Sequence, residues 1–275
     1  MSFTTIGLTL ILAGAASAAT IQVSPGPGTL QAAIDAAVPG DRLVLADGLY
    51  DAAVVDVPGI RIKGLNPSIA GDPVALTIRA DDVRLDGGND GGFFLLGSLA
   101  GLVIENANGI RVQKVSAGDT SNESAIIVRA STRVTLHRVL GRAASYGLRL
   151  VDLPIESRIL VRRSEFSVAG SVAIAGLIEN CAPGAALRGA RLSLKNSFFH
   201  GYPGGTALAF RNSDGIEVVR SRTYLAGSPA LDLDATSDNN LFAHSSFDPC
   251  TINDSGSGNV FFRTIQTVPP AGPCP

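Results

Sequence analysis

The sequence predicts an all-β chain: a single-stranded parallel β-solenoid of about eight to nine coils with an N-terminal capping α-helix. Three observations predict it. Pairs of apolar residues in h-x-h spacing recur along most of the chain with a period near 24 residues. Each such strand has only three to five residues, so it buries its inner face only if coils stack in parallel at ~4.8 Å. The composition supplies a long core with little charge: 45% apolar and 17% charged among 275 residues.

The same composition excludes other classes. Gly 31 and Pro 15 fall far short of collagen-like or low-complexity usage. Ample Val, Leu and Ile with low charge exclude disorder. Lys+Arg 22 against Asp+Glu 24 gives a net charge of −2, so no nucleic-acid partner is expected. No Cys or His spacing suggests a zinc site.

The elements follow in order. Residues 1–18 read as a signal peptide: a short apolar run from Ile6 to Gly14, then Ala16 and Ala18 in A-x-A spacing, with the cut after Ala18. A buried N-terminal strand or helix is the alternative reading. The run is shorter than the ~20 apolar residues of a bilayer span, so no transmembrane segment is expected and the mature chain is expected to be secreted or periplasmic. Thr29 is the candidate N-cap of a helix over about 29–38, with Leu30, Ala33, Ile34 and Ala37 on one face and Pro39-Gly40 as its stop. This helix would cover the open end of the stack, and a strand from Arg42 to Ala46 would begin it.

One strand series then runs through Ile60/Ile62, Val83/Leu85, Ile110/Val112, Val134/Leu136, Ile159/Val161, Leu192/Leu194, Ile216/Val218 and Leu241/Ala243. A second precedes it by about eight residues: Leu76/Ile78, Leu102/Ile104, Ile126/Val128, Leu148/Leu150, Leu208/Phe210, Leu231/Leu233 and Val260/Phe262. One step of 33 residues implies an insertion around LIENCAPG (177–184). The solenoid thus occupies 19–263, and the Pro-rich tail 264–275 cannot continue a ladder. One domain suffices, and a monomer is expected. Of the three cysteines, Cys250 with Cys274 is the favoured disulfide, because it would tie the tail to the last coil. Cys181 would be free and buried.

The run TIQVSPGPGTLQAAIDAAVPGDRLVLADGLYDAAVVDVPGIRIKG (20–64) resembles the N-terminal cap of right-handed parallel β-helix proteins of the pectin-lyase-like superfamily. VALTIRADDVRLDGGNDGGFFLLGSLAGLVIEN (74–106) resembles the early coils of polysaccharide lyases that include chondroitinase B and alginate lyases. The resemblance implies a right-handed β-helix and an extracellular polysaccharide as substrate class. The later catalytic signatures of that lyase group, of pectate lyases, of polygalacturonase-type hydrolases and of mannuronan epimerases have no match here, so no catalytic role is carried across.

Aligned coils sort the outward residues into columns. Arg79, Glu105, Arg129, Val151, Arg211, Asp234 and Arg263 alternate in sign wherever charges meet in adjacent coils and read as a structural ladder. Asp232, Asp234 and Asp214 form a weaker hydrolase-type grouping. Behind the later strand the adjacent positions read Gln113-Lys114, His137-Arg138, Arg162-Arg163, Lys195-Asn196, Val219-Arg220 and His244-Ser245. Stacked like charges repel, so folding does not favour this stripe. An acidic, uronate-bearing polysaccharide lying along the rod would meet a cation in each coil. The alternative is a solvated face whose long side chains cover apolar surface.

If the stripe is catalytic, it suits β-elimination, which needs a base for the proton α to the carboxylate and a cation for the enolate charge. His137, Arg162 and Lys195 are the catalytic candidates. Lys114, Arg138, Arg163 and Arg220 are the candidates for binding substrate, with His200 in reserve. The second function class is a non-catalytic β-helix with a surface, adhesive or scaffolding role. Asp81, Asp82, Asp86, Asn89 and Asp90 offer oxygen ligands of the kind that hold Ca²⁺, or form a solvated turn. No other metal or cofactor is implied. The sequons Asn122-Glu123-Ser124 and Asn253-Asp254-Ser255 are open to glycosylation by a suitable host.

Overall fold

A computed structural model of the chain describes residues 18–88, 92–119, 121–154, 157–169, 173–181, 191–195, 198–201, 205–225, 229–248 and 252–266. For 191–195, 198–201, 224–225, 248 and 265–266 it describes the backbone alone. The expected signal peptide, most of the tail and the Cys250–Cys274 pairing lie outside these residues.

Each coil holds three short strands where the sequence reading found two. The first strands include Arg42–Leu45, Arg61–Gly64, Arg84–Asp86, Arg158–Arg162, Arg191–Lys195 and Glu217–Val219. The second strands include Gly48–Asp51, Pro67–Ala70, Phe93–Leu96 and Glu165–Val168. In two middle coils Arg111–Ala117 and Val134–Ala143 run through both positions. The third strands, from Ala53–Val55 to Ile252–Asp254, form a nine-stranded sheet, and the first and second strands form one continuous nineteen-stranded sheet. Neighbouring coils pair in parallel throughout, as in Arg111↔Thr135 and Ile126↔Leu148.

The h-x-h pairs make the core. Ile62, Leu85, Val112, Leu136 and Val161 stand in one register column and are all buried. The inward column of the second strand reads Tyr50, Ile69, Leu95, Ala117, Gly141, Phe166. Its side chains swing between large and absent, which is why no apolar pattern marked it. At Gly141 a Cβ would stand 2.6 Å from the Phe166 ring, so the glycine makes room for the phenylalanine one coil on.

Three rungs differ from the expectation. In the last complete coil Phe242 continues the column of Val218, and Leu241 faces out. Val260–Phe262 stacks on Leu241–Ala243 as a first strand, whereas Ile252–Asp254 ends the third-strand series. Ile174–Glu179 is a regular third strand paired on both sides, so the extra residues of the 33-residue step fall in 182–190, outside the described set. Glu179 accordingly fills the gap in the charged ladder, and Arg263 leaves it.

The N-terminal end is covered as expected, with corrections. The helix spans Thr29–Ala36, with Gly28 as its N-cap at φ 67°. Thr29 is inside it, donating its hydroxyl to the carbonyls of Ser24 and Gly26. Leu30 and Ile34 are buried against the first coil. The stack itself begins earlier than Arg42, at Thr20–Val23, which pairs Thr20↔Arg42.

Corners between strands use left-handed backbone. After the third strand these positions are Asn106, Ala130, Asp152, Asn180 and Asn212. After the first strand they are Lys114, Arg138, Arg163, Arg220, His244 and Arg263. Buried hydroxyls inside the turns take the hydrogen bonds that no ladder supplies. Ser164 Oγ accepts the Val139 N–H and donates to the Arg162 carbonyl. Ser245 does the same for the Ser221 N–H and the Ala243 carbonyl.

Candidate functional site

The predicted stripe is a geometric unit. Gln113, His137, Arg162 and Lys195 stand in direct register on successive first strands. Immediately after them comes the left-handed corner, which carries Lys114, Arg138, Arg163 and Arg220. Non-glycine residues adopt positive φ reluctantly, and Asn or Asp tolerate it best. The corner after the third strand follows that preference at four of its five described positions, with Ala130 the exception. The corner after the first strand holds Lys, Arg, Arg, Arg, His and Arg at its described positive-φ positions, so backbone conformation does not select these side chains, and like charges in stacked coils oppose one another. The inward Ser164 and Ser221 follow Arg163 and Arg220 directly, and both are buried while the arginines are exposed.

His137 sits at the centre of this unit, half-buried. Burial pushes its imidazole below the ordinary 6.5, and the charges of Arg138, Arg163, Arg162 and Lys114 push it further. The structure therefore sets four of the other six predicted residues, Lys114, Arg138, Arg162 and Arg163, around the His137 imidazole. Lys195 joins them by backbone register, its side chain lying outside the described set. Arg220 is the corner cation two coils beyond Arg163. Lys114 Nζ donates to the Gly88 carbonyl at the edge of the group. Beyond Arg220 the column continues through His244 and Arg263, both against the Phe262 ring at 5.6 and 5.2 Å.

A second basic column was not foreseen. Arg42, Arg61, Arg84 and Arg111 are in register on four successive first strands, all exposed. The signal was present in the sequence: in each coil an arginine stands immediately before the inward residue, as RL, RI, RL and RV. The stripe read from the sequence takes in Gln113-Lys114, two and three residues beyond Arg111, and so leaves these arginines out. A groove of about 250 Å³ lies over these arginines and over Lys63, Asp86 and Gln113 of the neighbouring column.

The other charged groupings are engaged in the fold. Arg79 pairs with Glu105 at 2.7 Å and Arg149 with Glu179 at 3.1 Å. Arg211 pairs with Asp232 rather than with Asp234. Although burial opposes it, hydrogen bonds from Ser237, Asn212 and Thr236 hold the Asp234 carboxyl below its usual range. Asp214 accepts the Asp238 N–H. These three aspartates thus serve turns and ladders. Asp81 and Asp86 likewise accept the N–H groups of Asn108 and Gly88, and Asn89 and Asp90 lie outside the described residues. Among the described residues no group of three or more His, Cys, Asp or Glu could hold a metal. His200 is described by its backbone alone. Asn122 is buried with its amide donated to the Gly97 carbonyl, which closes that sequon, whereas Asn253 is exposed. Cys181 is free and buried.

No protein-family model and no curated protein matches the chain. Solved structures do. A chain described as Geobacillus virus E2 ORF18 superposes with a TM-score of 0.57 at 11% identity, over 89% of this chain and 60% of that one. DFA-IIIase from Arthrobacter chlorophenolicus A6 without its lid gives 0.49 at 11%, over 74% and 55%. The present chain thus spans little more than half the length of these two. Alginate lyase from Paenibacillus sp. str. FPU-7 gives 0.47 at 14%, over 90% and 97%. At such identities the likeness concerns the fold, and the fold is a right-handed parallel β-helix. Among the described residues no helix is long and apolar enough to cross a membrane.

Proposed function

We propose that this protein is exported and binds an acidic, uronate-containing polysaccharide lengthwise along the corner after the first strand, with Lys114, Arg138, Arg163 and Arg220 engaging carboxylates. One observation carries the reading. The same left-handed position is basic at each of its six described positive-φ residues, where conformational preference favours Asn or Asp and stacked like charge opposes the arrangement.

The neutral imidazole of His137 favours a chemical step at the same place. A base among fixed cations is what β-elimination requires. His137 takes the proton α to a uronate carboxylate, and Arg162 with Arg138 holds the charge that develops on that carboxylate. The electron pair forms the new C4–C5 double bond as the C4–O glycosidic bond breaks, and the leaving oxygen takes its proton from solvent. Lys195 stands one coil beyond Arg162 in the same column and contributes a further cation.

The test uses alginate, pectate and chondroitin with the wild-type chain, with Arg162→Ala/Lys195→Ala and with His137→Ala. Binding to at least one polymer is expected, weakened about tenfold or more by the double variant as two charge-assisted contacts are lost. Ultraviolet absorbance from unsaturated uronate ends should rise with the wild type and be lost with His137→Ala. Binding without any absorbance change would remove the chemical step and leave the binding role. Absence of both would favour the scaffolding alternative.

A further inference from the structure

The three ion-paired arginines on the nine-stranded sheet, Arg79, Arg149 and Arg211, each have a carboxylate within reach. Arg42, Arg61, Arg84 and Arg111 on the other sheet have none: among the described residues none of the four makes an ion pair or a side-chain hydrogen bond. They are exposed and stacked in register, one per coil. Four like charges in adjacent rungs oppose folding, and among the described residues no ion pair offsets them. Lys63 adds a fifth cation beside Arg61 on the next outward position. A groove joins these groups, and into its floor the fold sets one carboxylate, Asp86, flanked along its column by Lys63 and Gln113.

We infer that this arginine ladder is a second anion-binding track, on four successive coils near the N-terminal end, built for a polymer that carries an acid group on every sugar residue. Guanidinium forks match carboxylates two bonds at a time. The coils repeat at ~4.8 Å, which is close to the advance of one sugar unit in an extended polysaccharide. A chain with a carboxylate on every unit therefore meets an arginine at every unit, whereas one charged on alternate units leaves every other arginine unmatched. Asp86 and Gln113 give the ligand its second character. A carboxylate among cations accepts hydroxyls, so the track takes a hydroxylated polyanion rather than a bare one. The inference extends the polysaccharide reading to coils that the corner column does not reach, and it requires none of the corner residues.

The experiment is done in a background carrying Arg162→Gln/Arg163→Gln, so that failure at the corner is separate from failure here. Titration calorimetry at low salt compares hexagalacturonate, with six carboxylates, against a hyaluronan hexasaccharide, with three. Hexagalacturonate is expected to bind. Adding Arg61→Gln/Arg84→Gln should weaken it about tenfold or more, the loss of two charge-assisted contacts. The hyaluronan hexasaccharide should bind at least about tenfold more weakly than hexagalacturonate. Arg61→Lys/Arg84→Lys should fall between, keeping charge and losing the fork. Asp86→Asn should weaken hexagalacturonate. No binding in the corner background, or a change under about twofold on removing the ladder arginines, overturns the site. Equal binding of the two hexasaccharides overturns the charge-per-unit match, and tighter binding by Asp86→Asn overturns the hydroxyl contact. The arginine substitutions are at exposed positions, Asp86 is partly buried and accepts the Gly88 N–H, and thermal unfolding checks that each variant remains folded.

Discussion

His137 has lost proton affinity first to burial and then to four neighbouring cations, and this ties its charge to both stability and function. Its folded pKa lies below the ordinary 6.5, so between the two values the unfolded chain binds more protons than the folded one. The stability this group contributes is fully present above 6.5 and is lost as pH falls through the folded value. Imidazole proton shifts followed by NMR should show His137 titrating below 6.5. Arg162→Ala should raise that midpoint without restoring it fully, because burial remains. A midpoint unmoved by the substitution would remove Arg162 from its surroundings. The residues around His137 were legible in the sequence because coil spacing alone aligns them. The low proton affinity was not, because it depends on how deeply the strand face seats the ring.

At the level of the strand, packing between coils decides what is tolerated. Gly141 stands under Phe166, and a Cβ would come within 2.6 Å of the ring and 2.9 Å of the Gly147 carbonyl. Gly141→Ala should therefore destabilise the folded state by about 1–3 kcal/mol, the usual cost of overpacking, read as a lower urea midpoint. A second substitution, Phe166→Leu, should recover part of the loss by vacating the space. The same column explains what the sequence left hidden. First and third strands bury residues of similar size in nearly every coil, so the period is visible in Ile62, Leu85, Val112 and Leu136. The second strand alternates Ala117, Gly141 and Phe166, and its pattern exists only between coils. Near the C-terminus, Leu241, Phe242 and Ala243 are all apolar, so the sequence alone did not set which of them faces inward. Val260 and Phe262 satisfied the spacing of either series, and their pairing with Leu241 and Ala243 decided the matter.

Across the whole molecule, a chain of net charge −2 carries two basic columns on one sheet and its corner, while the three described ion pairs of the opposite sheet neutralise their own charges. Average charge therefore hides the local charge that a polyanion would meet on these columns. At neutral pH the protein should be retained on an immobilised polyuronate matrix despite its slight negative charge, and sodium chloride should elute it as the Debye length shrinks from ~10 Å at 0.1 M to ~3 Å at 1 M. Passage through the matrix without retention at low salt would count against both columns. The arrangement was half legible. The corner cations were found because their neighbours in sequence were compared coil by coil. The four arginines stand two residues ahead of that stripe on their strands, and three of them belong to coils that carry no corner cation.

The even spacing of Arg42, Arg61, Arg84 and Arg111 has a kinetic side. On the inference above, a regular polymer shifted along the rod by one unit would meet the same arginine ladder again, except at its ends. Its bound form is then a family of equivalent registers separated by low barriers rather than one fixed pose. Such a surface holds a long strand while letting it creep, so sideways escape is slow and travel along the axis is easy.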